Sequence, residues 1–502
     1  MRQLRLILVL LLTMALITSC VSAVPADNES AGSEMAENST NSESSINMTE
    51  SESSENAESS ENAESSEESL SQPEDESIYA SEGSEAVYVP TAEDFYLRID
   101  QFRQSLDGFM GAKLDFGFCK WLSAAFGLEI LEEISESLEN ESYGYEMFYT
   151  LTGMTGKVLY DEYLDRYNPQ SPYFAGNITK LTPKNGDKTV ITIAGDISLA
   201  DNWRNVDNAV KSGKTITDYI DQRYVNQLIS SDIAAVNNEF TISNRGAPLV
   251  SKKYTLRAKP ENIDMYKQIG VNLVFLANNH IYDYGKDAFL DTLDHLKGAG
   301  IHYVGAGKNL PEAMTPKYFI INGRKIAFVA GNRSEKYILT PAAGENSPGV
   351  LRCYETTLMK QAIAEARENA DFVIAYLHWG DEFVHQFNST QQSQGYEYID
   401  AGADVVVGSH THCLQGAEFY KGKPIIYSLG NFWFSGNTEE MAMLKITINS
   451  DGSGEYNILL GREHYFSTVW AEGNQLKSLT DFFIGLSKNL KVGENGLLLP
   501  DN

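Results

Sequence analysis

The sequence predicts an α/β protein, a layered sandwich of sheets flanked by helices, preceded by a helical accessory region and a disordered acidic tether. Three observations predict it. From about residue 187, short β-rich runs alternate with amphipathic helical stretches, the texture of an α/β domain. Five of those runs lead directly into residues able to ligate a metal or move a proton. Residues 21–90, by contrast, hold 18 Asp or Glu and not one Lys or Arg.

Residues 1–20 read as an export leader. Arg2 and Arg5 make a positive start, and Leu6 to Ile17 form an apolar run too short to span a bilayer as a stable helix. The run ends in Ile17-Thr18-Ser19-Cys20, which resembles the lipobox of bacterial lipoproteins. That resemblance implies a lipidated Cys20, a cell-membrane partner, and a place on the extracellular face of the bacterial cytoplasmic membrane. The competing reading is an ordinary secretory signal. Residues 21–90 form a Ser/Glu-rich linker in which Ser53-Ser54-Glu55-Asn56-Ala57-Glu58 recurs at once at 59–64. So few large apolar groups cannot offset the entropy of ordering, and a chain of this length reaches about 45 Å.

The whole chain carries a formal charge of −30. With the linker's −18 and the leader's +2 set aside, residues 91–502 carry −14, a moderately acidic body. That balance excludes nucleic acid as a partner, since no basic surface offsets phosphate repulsion. Four cysteines, Cys20, Cys119, Cys353 and Cys413, are too few and too scattered for a disulfide scaffold.

Residues 91–180 form the helical accessory region. Phe95, Leu97, Ile99, Phe102 and Leu106 recur at three- and four-residue spacings, and Leu128, Ile130, Leu131, Ile134 and Leu138 continue the pattern. It carries no catalytic constellation. The domain at 187–440 contains the β-rich runs Thr189–Ala194, Ile233–Val236, Asn272–Leu276, Ile326–Val329, Phe372–Leu377 and Val405–Val407. Helical stretches lie at 261–269, 286–299, 355–369 and 390–401, and close-spaced strands come next at Ala417–Tyr420, Pro424–Tyr427 and Met443–Ile448. Residues 441–502 are read as an extension that completes the domain.

The residues just beyond these runs carry the chemistry. The five runs lead into Gly195-Asp196, Asn237-Asn238-Glu239, Ala277-Asn278-Asn279-His280, His378-Trp379-Gly380-Asp381 and Gly408-Ser409-His410-Thr411-His412. In open α/β sheets, loops at the carboxyl ends of strands converge on one crevice. Taken singly, Gly195-Asp196 reads as a turn and His378-Trp379-Gly380 as a packed surface feature. Taken together, five turns would all have to choose ligand residues by accident. Oxygen and imidazole donors without thiolate suit a divalent Zn, Mn or Fe rather than Ca. His295, His302, His385 and His464 are read as structural or exposed.

These blocks, with Leu276 to Gly285, Gly402-Ala403-Asp404 through His412, and Tyr427-Ser428-Leu429-Gly430-Asn431-Phe432, resemble the bacterial capsule-synthesis family called CapA or PgsA. The family is associated with poly-γ-glutamate synthesis and resembles calcineurin-like metallophosphoesterases in fold. The resemblance spans about residues 187–440 and leaves residues 91–180 unaddressed. It implies a metal set of Asp196, Glu239, Asn279, His378, His410 and His412 around one or two ions. Where the wider pattern has a histidine two residues after the first aspartate, this chain has Ser198. One ion would lose a ligand there, while Glu239, Asn279, His378 and His410 stay complete.

A divalent cation so held acidifies water and polarises a phosphoryl or acyl oxygen. His280 is the candidate proton donor to a leaving group, and Asp283 either holds its tautomer or is simply a turn residue before Gly285. Arg257 is the candidate anion fork, while Lys252 and Lys253 read as a solvated charged loop. The expected function is a surface-anchored protein that assists synthesis, export or attachment of an anionic poly-γ-glutamate-type polymer, with the capsule-synthesis machinery as a partner. The alternatives are an extracellular metal-dependent phosphoesterase acting on a phosphoester substrate, or a non-catalytic polymer-binding module on a degenerate scaffold.

Overall fold

The computed structural model describes residues 113–167, with breaks, and residues 177–501 apart from 202, 335–338 and 435. The leader with Cys20, the acidic linker and the positions Phe95 to Leu106 lie outside the described residues, as do Leu128, Leu131 and Leu138. No helix among the described residues is long and apolar enough to cross a membrane.

Two large sheets dominate. Their strands in chain order are β1 (Ile178–Lys180), β2 (Thr189–Ile197), β3 (Ile233–Asn238), β4 (Leu273–Phe275), β5 (His302–Val304), β6 (Lys317–Ile321), β7 (Arg324–Asn332), β8 (Phe372–His378), β9 (Val405–Ser409), β10 (Ala417–Tyr420), β11 (Lys423–Ile426), β12 (Asn431–Trp433), β13 (Glu439–Ile448), β14 (Gly454–His464) and β15 (Ser467–Trp470). The first sheet runs β1-β6-β7-β8-β9-β11-β10, and the second runs β15-β14-β13-β2-β3-β4-β5 with β12 added against β2. Strands β7, β8, β9 and β11 are mutually parallel, as are β12, β2, β3, β4 and β5. Each parallel block therefore presents its carboxyl ends together, and the five ligand-bearing ends come from both sheets rather than one.

Burial on both faces explains why β8, Phe-Val-Ile-Ala-Tyr-Leu-His, is a nearly unbroken apolar run. One face of the first sheet meets the second through Ile193, Val236, Phe275, Phe328, Ile374, Tyr376 and Val407. At the centre, the Phe275 and Tyr376 rings stack 3.7 Å apart across the two sheets. Its other face packs Val373, Ala375, Leu377 and Trp379 against helices Thr357–Asn369 and Ser389–Asp400. Strand β13 pairs antiparallel with β2 over Thr189–Ala194, so residues on both sides of position 440 build the middle of the second sheet.

The accessory region is helical where it is described: α1 (Phe116–Phe126), α2 (Glu146–Thr152) and α3 (Gly156–Tyr167). Phe118, Trp121, Leu122, Phe148 and Leu159 give it a small core of its own. Helix α3 is tied to the starts of β7 and β8, at the end of the first sheet away from its ligand-bearing termini. Asp161 meets Lys325 Nζ at 2.5 Å with both side chains buried. Lys157 Nζ donates to the carbonyls of Arg367 and Ala370 at 2.8 and 3.0 Å. Cys119, Cys353 and Cys413 are buried and form no disulfide among the described residues.

Candidate metal centre

The ladders continue further than the apolar runs, and this aims the ligands. Asp196 remains in β2, paired in register with Asn237 of β3 and Asn431 of β12. His378 closes β8 opposite Asn332 and Ser409. Close approach of backbones fixes the first position: a Cβ on Gly195 would lie 1.8 Å from the Gly430 carbonyl oxygen. The last pair needs a turn instead. His410 (φ 96°) and His412 (φ 56°) both sit in the left-handed region, which L-residues enter at a cost of about 1–3 kcal/mol each. That turn brings two imidazoles of a His-Thr-His sequence into the same buried space.

The convergence is direct. Asn279 Oδ1 lies 2.7 Å from His378 Nε2, and His410 Nδ1 lies 3.1 Å from the same nitrogen. His378 Nε2 and His412 Nε2 stand 3.4 and 4.0 Å from Glu239 Oε1. His412 Nδ1 is 3.6 Å from Asp196 Oδ2 and 2.9 Å from Asn431 Oδ1. Two sets of donors form, Glu239 with His378 and His410, and Asp196 with Glu239 and His412, each set having one atom per residue within 4.8 Å of the others. Glu239 belongs to both.

Electrostatics asks for a cation here. Both Glu239 oxygens are buried without a hydrogen-bond partner among the described residues, an arrangement that costs several kcal/mol for an isolated carboxylate. Burial, reinforced by the Asp196 carboxylate, pushes Glu239 well above the usual range. Burial also raises Asp196, opposed by His412 and the Asn237 amide. Burial and then neighbouring imidazoles hold His378 and His410 well below ordinary histidine values, so both rings are neutral with lone pairs to give. Neutral imidazoles and a carboxylate with both oxygens unused are the donor set a divalent transition metal takes.

His280 stands beside this set. Its Nδ1 is 2.7 Å from Asp283 Oδ2, which also accepts the Leu256 N–H at 2.7 Å. Asp283 is fully buried, so it orients the ring rather than merely filling a turn. Arg257 is placed with other partners: its guanidinium covers the Tyr284 ring at 4.2 Å and donates to the carbonyls of Arg245 and Gly246. Ser198, at the position where the wider pattern has a histidine, is buried, and its hydroxyl accepts the Ala200 N–H at 3.4 Å.

Several residues that contact the candidate ligands were not legible in the sequence. Asn237 Nδ2 donates to Asp196 Oδ1 at 2.8 Å and lies 3.3 Å from His378 Nδ1. Asn431 and Ser409 hold His412 and His378 from behind. Lys252, read from the sequence as a solvated loop lysine, has only 6% of its side chain exposed and reaches Asp283 Oδ1 at 2.9 Å. The Asn237-Asn238 pair preceding Glu239 was the available signal for the first of these; nothing in the sequence marked Lys252. A shallower trio, His385, Glu439 and Glu440, lies half-buried, with His385 Nδ1 on the Leu414 carbonyl and Glu440 paired with Arg462.

Residues 190–435 match the family described as bacterial capsule synthesis protein PGA_cap. The capsule biosynthesis protein CapA of Bacillus anthracis is 30% identical over 292 residues, covering 56% of this chain and 69% of that protein. The PGA biosynthesis protein CapA of Bacillus subtilis is 32% identical over 235 residues, covering 46% of this chain and 61% of that one. Among solved structures, a 5′-nucleotidase from Candida albicans overlaps 54% of this chain and 51% of its own at 12% identity, with a TM-score of 0.31. An overlap that small describes a partial likeness of chain path and nothing of chemistry.

Proposed function

The chain belongs to the bacterial capsule synthesis protein family PGA_cap, and from that membership we propose a metal-dependent accessory role in making, exporting or attaching a poly-γ-glutamate-type capsule polymer at the cell surface. The observation that supports it is the buried Glu239 carboxylate, with both oxygens unused, between the His378–His410 pair and the Asp196–His412 pair. On this reading Asp196, Glu239, Asn279, His378, His410 and His412 hold one or two divalent ions. A bound divalent cation supplies Lewis acidity toward an acyl or phosphoryl oxygen.

The chain's own groups do the rest. Asp283 fixes the His280 ring through Nδ1, leaving Nε2 with a lone pair that can take a proton from the attacking water and then pass it to the departing nitrogen or oxygen. The buried Phe434 ring, 4.7 Å from the His412 ring, covers that side of the centre. Arg257 is assigned to the polymer's carboxylates, reached by exchanging its carbonyl partners for the ligand. Cys20 supplies a lipid anchor on the outer face of the cytoplasmic membrane, and the acidic linker keeps the folded body clear of that surface.

The test uses the purified chain with Mn or Zn and a γ-linked glutamate oligomer. Metal-dependent cleavage or transfer of glutamyl units, abolished by His410→Ala and by chelation, supports the proposal. Turnover of phosphoester substrates alone would assign a phosphoesterase instead, and oligomer binding indifferent to chelation would assign a non-catalytic module. The second of these alternatives draws on Ser198, which removes one donor from the wider pattern.

A further inference from the structure

We propose that Lys252 is a positioning residue of the metal centre, holding Asn279 and the Asp283–His280 pair in place through one buried ammonium. The inference rests on the metal-centre reading and extends it to a residue outside the ligand set. Its side chain is 6% exposed, and a lysine is rarely so buried unless its charge is answered. Here it is answered twice. Nζ lies 2.9 Å from Asp283 Oδ1 and donates to the main-chain carbonyl of Asn279.

Both partners matter to the centre. The Asn279 carbonyl accepts a second hydrogen bond, from Thr340 Oγ1 at 2.7 Å, so both lone pairs of that oxygen are used. With its backbone gripped from two sides, Asn279 presents Oδ1 at 2.7 Å from His378 Nε2. Asp283 is committed too: Oδ2 takes His280 Nδ1 and the Leu256 N–H, while Oδ1 faces the Lys252 ammonium as an ion pair rather than an aligned hydrogen bond. The lysine reaches this point because the 249–252 turn is itself pinned, with the Leu249 N–H on the Asp283 carbonyl at 2.9 Å and the Lys252 N–H on the Leu249 carbonyl at 3.1 Å. A single cation thus joins the residue that aims a ligand carboxamide to the residue that aims the His280 ring.

A buried ion pair with no such duty leaves metal affinity alone when it is altered, whereas groups that orient ligands change affinity by about 10–100-fold. Mn²⁺ alone is titrated into the full chain and into Lys252→Met, Lys252→Arg and Lys253→Met, with melting temperature read in parallel. The expected result is at least tenfold weaker Mn²⁺ binding in Lys252→Met, recovery to within a few-fold in Lys252→Arg, and no change in Lys253→Met. Lys252→Gln, which keeps donors at a shorter reach, replaces Lys252→Met if that variant does not fold. A fall in melting temperature with Mn²⁺ affinity unchanged would make Lys252 a stability residue and overturn the inference alone. Absence of Mn²⁺ binding by the unaltered chain would overturn the metal reading, and this inference with it.

Discussion

Glu239 is the residue on which two sets of donors meet, while His378 and His410 serve one set and Asp196 and His412 the other. Single substitutions therefore separate the sets. His378→Ala is expected to empty the set it shares with His410 and His412→Ala the set it shares with Asp196, each read by metal content after chelation and reloading. Gly195 sets a steric condition upstream of all of them. Gly195→Ala forces a methyl against the Gly430 carbonyl at 1.8 Å, so β2 and β12 must part. The expected cost is about 2–3 kcal/mol of stability together with weakened metal binding, measured by denaturant titration and metal content. The six ligand candidates were legible because each lies at or within a few residues beyond the end of a strand run and each is a residue type with little reason to be buried otherwise. Asn237, Asn431 and Lys252 were not, because their use depends on cross-strand register and on a loop folding back, neither of which a linear pattern displays.

At the scale of elements, helix α3 shows what the accessory region does in the described part: it buttresses the starts of β7 and β8. Burial pushes Asp161 up and Lys325 down, although the two face each other at 2.5 Å. Removing either partner takes the largest answering charge from the other, so Asp161→Asn or Lys325→Met alone is expected to cost about 3–5 kcal/mol. The double replacement Asp161→Leu with Lys325→Met should cost much less, as unfolding free energies will show. Strand β5 carries a pH dependence. Burial and then the Lys317 ammonium lower His302 to about 4, below its ordinary 6.5. The unfolded chain thus binds the proton more readily, and the ring's contribution is intact above pH 6.5 and lost as pH falls toward 4. Allowing for the ring's partial exposure, the loss is on the order of 1–2 kcal/mol. His302→Gln should flatten that part of the stability profile relative to the unaltered chain. Helix positions at 286–299, 355–369 and 390–401 were readable within two residues from periodicity alone. The extension of β2, β3 and β8 through Asp196, Asn238 and His378 was not, since polar residues end an apolar run before the hydrogen-bond ladder ends.

At the scale of the molecule, two sheets present the carboxyl ends of their parallel strands to a common centre, β2, β3 and β4 from one and β8 and β9 from the other. Alternation of strands and helices announced an α/β body, but not which strands share a sheet, because apolar runs record burial and not partners. The placement of β13 beside β2 depends on pairing over about 250 positions of chain, and no local signal encodes it. On the proposed reading, the shared centre makes this capsule-family chain a metal protein rather than a passive scaffold. The most direct measurement is metal content together with electron paramagnetic resonance of the Mn²⁺-loaded chain and of Glu239→Gln. The account predicts one ion per chain, or two with a spin-coupled signal, and loss of tight binding and of any coupling in the variant. Stoichiometric binding that survives Glu239→Gln, or no binding by the unaltered chain, would contradict it.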